Sequence, residues 1–141
     1  MSRPRRVTVA RLAPPAQLAT ADERQRWALE ELGRLVELYD RGMREPLPLY
    51  CETSAALAVP PAHTARRRAE KAWTSEFRHP REDRDEEHVR VLGPDRAFED
   101  LFAEAPREDE DWLADAFASR LERYAHRLWD GLLAVEEVID R

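Results

Sequence analysis

Apolar residues recur every three or four positions in the first half of the chain. Ala28, Leu32, Leu35, Tyr39 and Met43 form one stripe, with Leu29 and Val36 beside it. This spacing predicts an amphipathic helix. Thr20 and Glu23 predict a capping box at its start, and Gly42 is placed to stop it. A second helix is predicted from about Pro61 to His79, with Ala65, Ala69, Ala72, Trp73 and Phe77 on one face, Arg66 to Arg68 largely outside, and Pro80 as the stop. A third pattern joins Leu113, Phe117, Leu121, Tyr124, Leu128, Leu132, Val135 and Ile139 by steps of four and three. It predicts a long last helix that starts near Asp109 to Asp111, acids suited to the positive end of a helix dipole. Gly131 interrupts that stripe at a local cost of about 1 kcal/mol relative to alanine, which predicts a kink or an early end.

The segments between these helices carry different signals. Val7 to Leu12 is rich in β-branched residues and predicts a short strand, closed by Pro14 and Pro15. The stretch "RGMREPLPLYCETSAAL" (41–57) combines a helix stop with an extended path forced by Pro46 and Pro48. Leu47 and Leu49 then point to one side, and Ser54 or Thr53 caps a fresh short helix through Leu57. Residues 81–88, "REDRDEEH", predict a solvated acidic loop, and "VRVL" at 89–92 a second strand ended by Gly93-Pro94-Asp95. Ala97 to Phe102 predicts a short helix, and residues 1–6 a basic arm. Two short strands do not make a self-sufficient sheet in water. The expectation is therefore an α+β, mainly helical fold, with one or two short strands and three main helices, forming a single but partial domain over residues 1–141.

Composition narrows the functional classes. With 141 residues there is room for one modest core. Charged residues make up 37% and the formal net charge is −6, which argues against a freestanding nucleic-acid binder with a basic face. Of the 23 basic residues only Lys71 is a lysine, a bias that fits a GC-rich genome better than an arginine-based function. Cys51 is the single cysteine, so an internal disulfide is impossible and a reducing cytoplasm is the natural setting. Its plain reading is a small half-buried residue. No apolar run reaches the ~20 residues of a membrane span, and the arginine-bearing N-terminus lacks an apolar signal core.

The chemistry that is missing is informative. No lysine follows any glycine, so there is no P-loop, and no G-x-G-x-x-G occurs. A metal-dependent nuclease of the PD-(D/E)-x-K type needs an acid two residues before a lysine, so that carboxylates hold the metal and the lysine polarises the attacking water. The residue two before Lys71 is Ala69, and no lysine follows Pro94-Asp95. No catalytic residue, metal ligand or cofactor site is expected. His63, His79, His88 and His126 lack the spacing of a helical metal pair, and Glu86-Glu87-His88 reads better as an exposed acidic loop than as a ligand set. Ser54 has no nearby histidine or nucleophile elbow and reads as a helix cap. Arg66, Arg67, Arg68 and Lys71 can touch phosphate, though a solvated helix face is the favoured reading. Trp27, Trp73 and Trp129 read as core or interface anchors.

A helix ending in "LVELYDRGMREPLPLYCETSAAL", followed by an alanine-rich helix finishing "AEKAW", resembles the C-terminal region of the RecC (gamma) subunit family of exodeoxyribonuclease V, or RecBCD, in its actinobacterial form. The family pattern there is a helix, an "RGL-REPLPL" turn, a "KTSAA" helix start and a helix ending in "A-K-AW". "EHVRVLG" followed by "FEDLFAEAPR", and the final "RYAHRLWDGLLAVEE", are similar to the family's strand, its "F-ELL-EPPR" segment and its "ARRLWDPLLAHEE" helix. The matches are collinear over roughly residues 7 to 139. Glu52 stands where lysine is usual, and Gly131 where proline is common. The resemblance implies the C-terminal part of a catalytically inactive PD-(D/E)XK nuclease-like domain, in a subunit of about a thousand residues, far beyond single-domain size. It implies RecB-like and RecD-like partners, access to double-stranded DNA ends through the complex, and a part in DNA repair by homologous recombination. Motor and cutting activities belong to the partners. The related AddB subunit holds an iron–sulfur cluster, which one cysteine cannot do.

Two function classes follow. The first is a non-catalytic piece of a RecC-like subunit, contributing subunit contacts and DNA handling. Its expected interface or core residues are Leu47, Leu49, Trp73, Phe77, Leu121, Tyr124, Leu128 and Trp129, and self-association of the isolated chain is expected. The second is an independent helical adaptor whose apolar stripes bind another protein. An enzyme acting alone comes third.

Overall fold

A computed structural model describes residues 8–75 and 81–140. Its elements are β1 (Thr8–Leu12), α1 (Ala21–Gly42), α2 (Cys51–Ala58), α3 (Ala65–Thr74), α4 (Glu86–Leu92), α5 (Arg120–Val135) and β2 (Glu136–Asp140). Single 3-10 turns lie at Ala62–Thr64, Glu82–Arg84 and Phe98–Phe102. The described residues are thus mainly helical, with one two-stranded antiparallel ribbon. Phe77, Pro80 and the basic arm at 1–6 lie outside them.

The core is built around the short helix α2, held between α3 and α5. Small residues let these helices approach: Ala69 of α3, Ala125 of α5 and Ser54 of α2 are all fully buried. Tyr50, Leu57, Trp73, Phe98, Leu101 and Leu121 fill the space between. Burying each large side chain of this kind contributes roughly 1.5–3 kcal/mol. Two indoles at the core are matched, while the buried Thr53 hydroxyl has no hydrogen-bond partner among the described residues. Trp73 donates its indole N–H to the Arg96 carbonyl, and Trp129 donates to the Ser54 hydroxyl, each at 2.9 Å.

α1 begins where the capping box places it, with Thr20 accepting the Glu23 amide and Glu23 accepting the Thr20 amide. It ends at Gly42, but not through a left-handed glycine cap, since Gly93 is the one described glycine with positive φ. Met43 closes the helix instead, donating its amide to the Tyr39 carbonyl. A Cβ at position 42 would sit 3.6 Å from Leu47, which folds back against the helix end.

The largest departure from the sequence pattern is the orientation of α1. Leu29, Leu32, Leu35, Val36, Tyr39 and Met43 are all exposed, and Leu38 is the buried residue of this helix. The inward side is anchored by polar contacts: Arg127 of α5 pairs with Glu37, and Arg41 pairs with Asp109 at 2.7 Å. Glu31 lies against Gly131, where any side chain would meet its carboxylate. α5 runs straight through Gly131 with no early end there, so this glycine makes room for α1.

Three further elements differ. "VRVL" is the end of helix α4, not a strand. Asp85 to Glu87 complement its N-terminus, Glu86 pairs with Arg90 one turn on, and Gly93 at φ 84° ends it. The strand partner of β1 is β2, a stretch the periodicity had assigned to the last helix. Its register runs from Thr8↔Asp140 to Leu12↔Glu136, with a cross-strand pair between Arg11 and Glu137 at 2.6 Å. α5 starts ten residues later than the acidic cluster suggests, because Ser119 caps it by accepting the Glu122 amide. Leu113 and Phe117 therefore sit in turns before it, and Leu113 adopts a positive φ of 58°.

Candidate functional site

The region between the Phe98–Phe102 turn and α5 is tied down by a buried charge cluster. Arg120 is 2% exposed and Glu110 is fully buried. The Arg120 guanidinium donates to Glu110 at 2.8–2.9 Å and to Glu104 at 2.7 Å, and approaches Glu45 at 3.5 Å. Tyr124 donates its hydroxyl to Glu110 at 2.6 Å, and the Arg107 amide donates at 2.9 Å. Burial alone would raise the Glu110 carboxyl, but the hydrogen bonds from Arg120, Tyr124 and the Arg107 amide hold it at about 2. Burial pushes the Tyr124 phenol to about 12, and its bond to the Glu110 carboxylate adds to the shift. The charged Arg120 and Glu110 and the neutral Tyr124 phenol are engaged with one another. Their arrangement fixes the loop 103–119 onto α5.

A second carboxylate is buried where a solvated acidic loop was expected. Glu82 is 3% exposed and accepts the amides of Glu52 at 2.7 Å and Thr53 at 2.8 Å. It caps α2 from thirty residues away. Thr53 and Ser54, read as the cap from sequence, lie inside the first turn and are buried, while Tyr50 occupies the N-cap position. His88 completes this corner: its ring lies 5.9 Å from Trp73 and edge-on to Tyr50, and Nδ1 contacts the Glu82 carbonyl at 2.8 Å. Cys51 is exposed rather than half-buried.

The basic run on α3 divides by role. Arg68 is turned toward the preceding connection, donating to the carbonyls of Pro61 and Ala56 at 3.2 and 3.3 Å. Arg66 pairs with Glu99 and lies 4.1 Å over the Phe102 ring. Arg67 and Lys71, one turn apart, are exposed and have no partner among the described residues. Of the apolar residues singled out in sequence, Trp73, Leu121 and Tyr124 are core, while Leu128 and Trp129 are half-buried on α5. Leu47 and Leu49 are half-buried and, with Tyr50, His88, Val91 and Leu92, line a groove of about 150 Å³. Among the described residues no three His, Cys, Asp or Glu side chains are grouped to hold a metal ion, and no helix is long and apolar enough to cross a membrane.

Trp112 had no signal in the periodicity. Two guanidinium groups lie over its ring, Arg127 at 4.3 Å and Arg41 at 5.0 Å, and so join the loop to both α5 and α1. The exposed face of α1 lies on the other side of that helix. Its six apolar side chains are each at least 45% exposed, and covering them would contribute on the order of 5–10 kcal/mol.

Among the described residues, α1 is anchored by polar contacts with its apolar face outward, the two strands form one ribbon, and the buried charges are paired with one another. Residues 9–59, which hold most of β1 together with α1, the proline turn and α2, match the family model of the RecC C-terminal domain. The RecBCD enzyme subunits RecC of two Mycobacterium tuberculosis strains, CDC 1551 / Oshkosh and ATCC 25618 / H37Rv, are each 41% identical over 115 residues, 74% of this chain and 10% of theirs. The chain belongs to the RecC family, in the region of its C-terminal domain. It spans about a tenth of the length of these curated relatives. No solved structure matches it.

Proposed function

We propose that this chain serves as a non-catalytic C-terminal piece of a RecC-like subunit in a RecBCD-type helicase-nuclease, acting in double-strand break repair by recombination. The observation that carries the reading is the 41% identity to the mycobacterial RecC subunits across most of the chain. The sequence supports the non-catalytic part, since neither a P-loop nor an acid-x-Lys pair is present. In this reading the module supplies contacts within the subunit and toward RecB-like and RecD-like partners, in the cytoplasm. The β1–β2 ribbon joins a larger sheet of nuclease-like type, which a free two-stranded ribbon needs for stability. Arg67 and Lys71 are the members of the basic run left available to a DNA phosphate.

The test is co-purification. The chain carried at the C-terminus of a mycobacterial-type RecC, in place of the matching tenth, is expected to retain RecB and RecD subunits through size exclusion. The chain alone is expected to show neither ATPase nor magnesium-dependent degradation of linear duplex DNA. Loss of both partners from the fused subunit, or an EDTA-sensitive nuclease that survives repurification of the chain, would overturn the reading.

A further inference from the structure

Resting on the RecC reading, we infer that the outward face of α1, formed by Leu29, Leu32, Val36, Tyr39 and Met43, is the seat for an apolar surface elsewhere in a RecC-type polypeptide, in the part of the relatives' length that this chain does not span. The five residues follow one another at steps of three, four, three and four, the seam spacing of one helix against a packed neighbour. The helix cannot turn this seam inward. Its opposite side is already fixed by buried Leu38, by Glu37 and Arg41 in their ion pairs, and by Glu31 seated on Gly131.

The margin of the seam is open. A Cβ added at Gly33 would meet nothing within 4 Å, so an incoming backbone can come close there. The whole helix also lies inside the stretch that matches the RecC family model. A second copy of this chain is a poorer occupant. A stable dimer needs roughly 20–30 residues a side, and the seam of one helix supplies only a fraction of that. The same seam suits a helix that completes the core of a longer chain, where the surrounding contacts are already in place.

The experiment places Leu32→Asp with Val36→Asp in two settings, the isolated chain and the chain fused as the C-terminal tenth of a mycobacterial-type RecC. In the isolated chain these residues face water, so the thermal midpoint should move by less than about 2 °C, and hydrophobic dye binding should drop. In the fused subunit the same pair should lower the midpoint by about 5 °C or more. Leu32→Ser with Val36→Ser provides a milder pair with the same expected contrast, should the aspartates prevent folding of the fusion. An unchanged midpoint in the fusion overturns the inference. So does a dimer of the fused subunit that the substitutions disperse, because the occupant would then be a second copy. A wild-type fusion without a cooperative transition fails the RecC reading itself, and the inference with it.

Discussion

Glu110→Gln is the sharpest single perturbation of this fold. The substitution keeps the shape of the side chain and removes the charge that faces Arg120, Tyr124 and the Arg107 amide inside the protein. Arg120, 2% exposed, would keep only Glu104 and the more distant Glu45. Breaking a buried pair from one side costs about 3–5 kcal/mol, because the remaining charge stays desolvated. In a chain of this size that lowers the thermal midpoint by about 10 °C or more. The pH dependence follows from the carboxyl held at about 2 when folded, against about 4.3 when unfolded. A depressed carboxyl stabilises the fold above its unfolded value and loses that contribution as pH falls toward its folded value. The gap between wild type and Glu110→Gln should therefore be full at pH 7 and should close between about pH 4.5 and pH 2, by an amount on the order of 3 kcal/mol. Urea unfolding followed by far-UV circular dichroism at stepped pH measures this. Replacing both partners, Glu110→Leu with Arg120→Met, should recover part of the loss, because the Tyr124 hydroxyl and the Arg107 amide still lose their acceptor. A single variant within about 1 kcal/mol of wild type at pH 7 would refute the reasoning.

Four other outcomes are expected. Leu121→Asp should unfold the chain by burying an unpaired charge, whereas Leu132→Asp on the exposed half of the same helix should cost less than about 0.5 kcal/mol in urea unfolding. Glu82→Ala should lower stability by about 1–2 kcal/mol, since the amides of Glu52 and Thr53 lose their acceptor, and hydrogen exchange at those amides reads the change directly. Tyr50 and Tyr124, both raised to about 12 chiefly by burial, should resist ionisation in a phenolate absorbance titration. Stability should fall as pH rises above about 10, where the unfolded tyrosines ionise and the folded ones do not. If Arg67 and Lys71 meet phosphate within the complex, removing both should reduce the salt dependence of DNA binding by about two units of slope.

The sequence made local features legible and hid those created by tertiary contact. The Thr20–Glu23 capping box and the burial of Trp73, Leu121 and Tyr124 follow from chemistry within a few residues or from a clear stripe. α1 shows the limit of periodicity. The stripe is real, yet the pattern carries no direction, and the ion pairs of Glu37 and Arg41 decide which side faces this chain. "VRVL" and "EEVID" were exchanged between strand and helix because a short apolar run fits either, and pairing with β1 decides the matter. Glu82 and Glu110 sit in acidic runs that look solvated. Their burial depends on partners ten to thirty residues away, which no local spacing records. The RecC resemblance was readable because it rests on collinear motifs rather than on contacts.

The central claim is that this chain acts as the C-terminal piece of a RecC-type subunit, and reconstitution tests it most directly. A mycobacterial-type RecC whose matching tenth is replaced by this chain would be combined with RecB and RecD subunits, and ATP-dependent degradation of linear duplex DNA would be measured beside the same RecC with that tenth deleted. The account predicts degradation by the complex carrying this chain and its loss with the deletion. Equal activity of the two complexes, or none from the one carrying this chain, would contradict it.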